Sequence, residues 1–194
     1  MAFDAYLKFA SPSQPGNAGG KAGIANKYEF DKDEPTPGGN IGWIQMDEYS
    51  FGASMAVTAS RSGGTGSATT GRGKLEPFTF KKSVDKTSMA LAFHAAAGTV
   101  FQKIVVNIFV AVNTKGDEQV PYQFLTIVME SAIINSCKFS GGGGDDLPTE
   151  EVSINYGRIK YKYKPFTVTS TGQLERKPTT TFLWDTIANK GAKS

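Results

Sequence analysis

Several residues in this chain carry side chains that could do chemistry. Ser83 and Lys86 stand at Ser-x-x-Lys spacing, the arrangement in which a lysine amine activates a serine nucleophile. Such a pair works from a helix lining a pocket, with a further basic or hydroxyl partner. Here both residues precede the best helix and read as parts of its entry turn. His94 is the single histidine and Cys137 the single cysteine. A usual zinc site draws on several such ligands, so His94 reads as a packed or interface residue. Asp145, Asp146, Glu150 and Glu151 could attract a cation, but they lack EF-hand spacing and read as a solvated loop. The run GSATTGRGK invites a phosphate-loop reading. That loop needs Lys directly after its second glycine, then Ser or Thr. Arg72 and Gly73 take those places, and a strand follows where a helix is required. Lys160, Lys162 and Lys164 alternate along one strand and read as a solvated or docking face. No catalytic constellation, no metal site and no cofactor are expected.

The elements that must position these residues are mostly strands. Residues 3–9 alternate, with Ala5, Leu7 and Phe9 opposite Tyr6 and Lys8. Residues 11–40 are rich in Pro, Gly, Asp and Lys and form a long insertion, with a short strand expected near 24–30. Residues 41–58 are strand-like, 60–74 read as a second glycine-rich loop, and 75–82 return as a strand through Phe78 and Phe80. Strands are expected at 104–112, 122–129, 132–139 and 180–184. Between 152 and 163 the apolar phase slips at Gly157, which predicts a β-bulge there.

One helix is predicted, over 88–97. Thr87 or Ser88 can cap its start, and Gly98 sits where a C-terminal cap belongs. No charged residue occurs between Lys86 and Lys103. A helix with no charged face is normally buried all round. The sheet of one domain covers one side, so a neighbouring subunit is the economical cover for the other.

The length fits one domain, residues 1–194, large enough to fold without a disulfide or metal staple. A net charge of +3, with no dense Lys/Arg stripe interleaved with aromatics, argues against nucleic acid. The start, MAFDAYLKF, lacks the basic and apolar regions of a secretory signal, and no apolar run reaches the length of a membrane span. Synthesis and assembly in the cytoplasm are expected, with no membrane insertion and any export proceeding without a cleaved signal.

Two segments carry a resemblance. FTFKKSVDKTSMALAFHAAAGTVFQKIVV resembles the strand, Asp-Lys turn, helix and strand of the haemolysin-coregulated protein (Hcp) family. PTEEVSINYGRIKYKYKPF, followed by Gly172, resembles that family's late strand with its Tyr-Lys-Pro ending. The start MAFDAYLKF and the tail FLWDTIANK are compatible with the family's first strand and terminus. The resemblance implies a mainly β fold, a compact barrel of two packed antiparallel sheets with one main helix, similar to phage tail tubes. It also implies a structural role without enzymatic activity. Such subunits form homohexameric rings that stack into the inner tube of the type VI secretion system, inside a sheath and behind a VgrG spike. Some members hold effector proteins in the ring.

Carried onto this sequence, the resemblance implies roles for three groups of residues. The subunit seam falls on Met89, Leu91, Phe93, His94 and Ala97. Ring stacking falls on the 61–74 loop, through Arg61, Ser62, Thr65, Ser67, Thr70 and Arg72. The polar strand face through Ser153, Asn155, Lys160 and Lys162 becomes the channel wall. The 11–40 insertion is longer than the family's early loop. Other readings stay open on the residues themselves: a monomeric β-sandwich binding module presenting residues 11–40, a tube protein of another contractile machine, or a hydrolytic effector using Ser83, Lys86 or His94.

Overall fold

The structure, a computed structural model, describes residues 3–9, 43–58, 69–85, 87–113, 119–143 and 147–193. In chain order the elements are β1 (Phe3–Phe9), β2 (Ile44–Met46), β3 (Glu48–Ser50), β4 (Ala53–Thr58), β5 (Thr69–Leu75), β6 (Phe78–Ser83), α1 (Ser88–Ala97), β7 (Val100–Asn113), β8 (Gln119–Ser140) and β9 (Thr149–Tyr163). After these come β10 (Phe166–Val168), β11 (Leu174–Arg176), β12 (Thr180–Asp185) and β13 (Lys190–Lys193). Every pairing is antiparallel. The expectation of a mainly β chain with one main helix is met.

The large sheet runs β13-β12-β9-β8-β7-β1-β2, with β6 on the first half of β9 and β3 beyond it. It wraps around a shared core without closing into a ring of paired strands among the described residues, so the expected barrel is an open one. Two further pairs, β4-β5 and β10-β11, form small separate sheets. Boundaries differ from the sequence reading in several places. The segment 41–58 is three short strands, because the chain turns at Asp47 and again at Phe51-Gly52. The strands expected at 122–129 and 132–139 are one continuous β8. The β10-β11 hairpin and β13 are too short and too polar to show in an apolar pattern. The strand expected near 24–30 lies outside the described residues.

The core follows from register. Leu7 pairs with Val106, Val106 with Ile127, Ile127 with Tyr161 and Tyr161 with Phe182, so one row of apolar side chains crosses five strands. Leu7, Val106 and Ile127 are all fully buried. Each such side chain contributes about 1.5–3 kcal/mol on burial. An aromatic run, Phe78–Phe51–Tyr161–Phe182–Trp184, ties β6, the 51–52 turn, β9 and β12 together at centroid spacings of 6.3, 5.1, 5.3 and 6.4 Å. Offset stacks of this kind add to plain area burial.

Three long strands change their buried face at one row. On β7 the core residues are Phe101 and then Ile104; on β8, Ala132 and then Met129; on β9, Ile154 and then Ile159. Strict alternation would keep each pair in step. Gln102, Ser131 and Gly157 fall in this row, between the pairs Phe101↔Ala132 and Lys103↔Glu130 on one ladder and Ala132↔Tyr156 and Glu130↔Arg158 on the other. Ser131 takes φ 50°, and a Cβ on Gly157 would stand 3.3 Å from Ser131 Cβ. Both strands turn the corner together, so the β8-β9 register is kept there. The bulge expected at Gly157 is therefore corrected: the register shift lies between Ile134 and Ser136, with Asn135 as the extra residue.

Candidate functional site

Helix α1 is the first candidate surface. Its C-terminus is closed as expected, with Gly98 left-handed at φ 62° and the Gly98 and Thr99 N–H groups donating to Ala95 O and His94 O. Its N-terminus differs from expectation: Thr87 makes no side-chain cap. Asp85 and Ser88 exchange bonds instead, the Ser88 N–H donating to Asp85 O at 3.1 Å and the Asp85 N–H to Ser88 Oγ at 2.9 Å, while the Thr87 N–H donates to Asp85 Oδ1 at 2.7 Å.

Below this turn lies a buried ionic cluster that the sequence reading missed. Lys82 Nζ is 2.8 Å from Glu150 Oε1 and 2.9 Å from Asp85 Oδ1. Ser88 Oγ donates to Glu150 Oε1 at 2.8 Å, and Lys82 Nζ also donates to Ser83 O at 2.8 Å. Lys82 and Glu150 are buried, and Cys137 Sγ sits 3.7 Å from Glu150 Oε2. Burial, reinforced by the Glu150 charge, pushes the Cys137 thiol up to about 11. Burial pushes the Asp85 carboxyl up, but the Thr87 and Lys82 hydrogen bonds outweigh it and hold the group below its usual range. An ammonium fixed between two carboxylates is no base, so a serine beside it is not activated. The cluster anchors α1 to β6 and β9. A signal for it existed: Lys82 continues the Phe78, Phe80 alternation, and Glu150 precedes Val152 and Ile154 on theirs. Ser83 takes part through its backbone carbonyl, its N–H donating to Asp47 Oδ2, and Lys86 lies outside the described residues.

Anchored in this way, α1 divides its residues. Ser88, Ala90 and Leu91 are buried against the sheet, whereas Met89 and Phe93 are each 61% exposed, with Ala96 and Ala97 open beside them. The helix is thus not buried all round in the protomer. Leu91 is corrected from a seam residue to a core residue, since it has no surface left for a neighbour. His94 is half-buried, its Nδ1 2.9 Å from Thr99 Oγ1 and its ring edge-on to Phe93 and Phe101. Burial lowers its pKa from 6.5. Met89, Phe93 and Ala97 remain on an apolar face that is exposed among the described residues.

The stacking candidates separate. Arg61, Ser62, Thr65 and Ser67 lie outside the described residues. Thr70 and Arg72 are in β5 and not in a loop, because β5 pairs antiparallel with β4. The channel-wall candidates separate too. Lys160 and Lys162 share a strand face with Lys164. Lys162 and Lys164 border a shallow concavity of about 360 Å³ lined also by Lys8, Lys103, Asn107, Gln123 and Thr126. Asn155 lines a different depression, with Glu76, Tyr156 and Thr186, and Ser153 lies in the β6-paired half of β9. Asn155 and Lys162 thus line different depressions on the two sides of the corner at Gly157.

Residues 34–163 match the sequence profile of a family described as "Type VI secretion system effector, Hcp". The chain belongs to the Hcp family of type VI secretion. The protein hcp1 of Pseudomonas aeruginosa strain PAO1 is 28% identical over 91 residues, 47% of this chain and 53% of that relative, so the match spans about half the relative's length. Among solved structures, a type six secretion system protein superposes with TM-score 0.69 at 22% identity, over 98% of this chain and 100% of the other. Hcp1 of Salmonella typhimurium gives TM-score 0.59 at 17% identity, over 99% and 100%. At these identities the structural likeness shows a shared fold. Family membership places the chain in type VI secretion. Among the described residues, no group of three or more His, Cys, Asp or Glu side chains could hold a metal ion.

Proposed function

We propose that this Hcp-family chain is a single-domain structural subunit of the type VI inner tube. It assembles as a homohexameric ring in the cytoplasm, stacks into a tube inside a sheath and behind a VgrG spike, and leaves the cell without a cleaved signal. It catalyses no reaction. Each ring is a head-to-tail assembly, in which one face of the subunit meets a different face of the next and the rotation closes. The observation that carries this reading is the open apolar face of α1. Met89 and Phe93 stand on a helix pinned from beneath by a buried ion cluster, and an apolar face held rigid in water is a mark of association. Stacking falls to the β4-β5 hairpin with residues 59–68, and the channel wall to the face of Lys160 and Lys162, against which effectors are held.

The test is negative-stain electron microscopy with light scattering on one sample, for the wild type and Phe93→Asp. The wild type forms six-membered rings, and the variant remains a folded monomer. A monomeric wild type at micromolar concentration, or rings that survive Phe93→Asp, would overturn the seam assignment.

A further inference from the structure

The outer face of β1, β7, β8 and β9 concentrates lysines, and its described acids lie at the margins, with Asp4 at the start of β1 and Glu130 opposite Lys103. Register places Lys8 beside Val105, Val105 beside Val128 and Val128 beside Lys160; the next row on this face is Tyr6, Asn107, Thr126 and Lys162. Lys103 and Lys164 flank these rows on the same concavity. No described carboxylate forms an ion pair with Lys103, Lys160 or Lys162. The nearby cation Arg158 is different, being bound to Glu130 at 3.2 Å and Asp185 at 3.0 Å. Lys8 already lies over the Trp43 ring, 5.5 Å from its centroid, and Lys164 donates to Gln123 Oε1 at 2.9 Å.

A second, independent observation lies in the middle of this face. Asn107 is 2% exposed and lines the concavity, and its Oδ1 is buried with no hydrogen-bond partner. A buried acceptor left without a donor is costly, and native structures rarely keep one without a use. The missing group is therefore an N–H or O–H donor that arrives from outside.

We propose that this face docks an acidic polypeptide segment in extended conformation. Its carboxylates meet Lys103, Lys160, Lys162 and Lys164, and one of its N–H groups donates to Asn107 Oδ1. Lys160, Lys162 and Lys164 repeat at about 6.8 Å along the strand, the spacing of same-side residues in an extended peptide. An acidic polypeptide supplies both demands from its repeating unit, and its side-chain carboxylates match the spacing of the lysines. A DNA backbone offers phosphate acceptors to the lysines but no donor to Asn107. The surrounding Gln123 and Thr126, which bond each other at 3.0 Å, add donors and acceptors suited to peptide groups. The inference deepens the channel-wall reading, and rests on it for the docked segment being cargo; the contact chemistry itself needs only the protomer.

The test is fluorescence anisotropy on the full chain with a labelled peptide of alternating Glu and Thr, beside an oligothymidylate of equal charge. The expected result is peptide binding that weakens steadily as salt rises, since the contacts are exposed charge pairs. Binding weakens about tenfold or more in Lys160→Glu/Lys162→Glu. It also weakens in Asn107→Leu, which removes the orphan acceptor while keeping side-chain volume and melting temperature. No peptide binding at low salt, equal binding by both variants, or tighter binding of the oligothymidylate would each overturn the proposal. Light scattering on the same samples separates the two readings. Binding without rings leaves the docking face standing and removes the tube reading, and rings without binding do the reverse.

Discussion

Lys82 Nζ and Glu150 Oε1 meet at 2.8 Å in a part of the protein that water does not reach. Lys82 belongs to the strand that leads into α1, and Glu150 to the start of the strand that β6 pairs with. The contact, with Ser88 Oγ on the same carboxylate oxygen, fixes where the helix begins and which of its faces turns outward. Removing one partner leaves the other charge buried and alone. Lys82→Met or Glu150→Gln should each destabilise by about 3–5 kcal/mol, while Lys82→Met with Glu150→Leu should recover much of that loss. Urea denaturation of the three variants checks this; a double variant no better than the singles would mean that the pair is not coupled.

Burial, with the same carboxylate adding to it, protects Cys137. With the thiol raised from 9.0 to about 11, its thiolate fraction at neutral pH falls roughly 100-fold. Alkylation of the folded protein should therefore be slower than that of the denatured chain by at least this factor. Glu150→Gln should speed it, because the negative charge that disfavours a thiolate is gone. Mass-spectrometric timing of iodoacetamide labelling reads both.

The two faces of α1 predict opposite phenotypes for similar changes. Phe93→Asp should leave protomer stability within about 0.5 kcal/mol, because the ring is already in water, and should abolish association. Leu91→Asp places a charge in the core and should unfold the protomer. Circular dichroism with light scattering distinguishes loss of assembly from loss of fold.

His94 sets a pH dependence. Its folded-state pKa lies below the ordinary 6.5 because burial disfavours the imidazolium. Below pH 6.5 the unfolded chain takes up a proton that the folded chain refuses, so stability falls as pH drops from there through the folded value. Asp85 adds a loss of the same sign at lower pH, since its carboxyl is held below the usual range. His94→Gln should flatten the first slope and leave the second, as read from melting temperature against pH.

Gly98 offers a local test of backbone strain. Its φ is +62°, and a Cβ there would meet nothing within 4 Å, so any cost is conformational and not steric. Gly98→Ala should destabilise by about 1 kcal/mol, with Gly98→Asn milder. A thermal melt showing equal loss for both would point to a packing role instead.

Much of this protein is determined by short-range pattern. Alternation from Phe3 to Phe9 sets the first strand, and the charge-free run closed by Gly98 sets the helix. The glycines after Ser140 set the β8-β9 tip, and the paired family-like segments point to Hcp. These signals are legible because strand and helix periods act over a few residues. What the tertiary structure decided depends on residues distant in sequence. Leu91 and Phe93 read alike as apolar helix positions, and only the packing of α1 against β8 buries one and exposes the other. Glu150 reads as part of a solvated loop until strand pairing brings it against Lys82. Asn155 and Lys162 read as one polar stripe, yet on the two sides of the corner at Ser131 and Gly157 they line different depressions. The orphaned Oδ1 of Asn107 has no sequence signature at all, because a missing partner is a property of three-dimensional surroundings. Local periodicity specifies which elements form; pairing across dozens of residues decides which of their side chains face water.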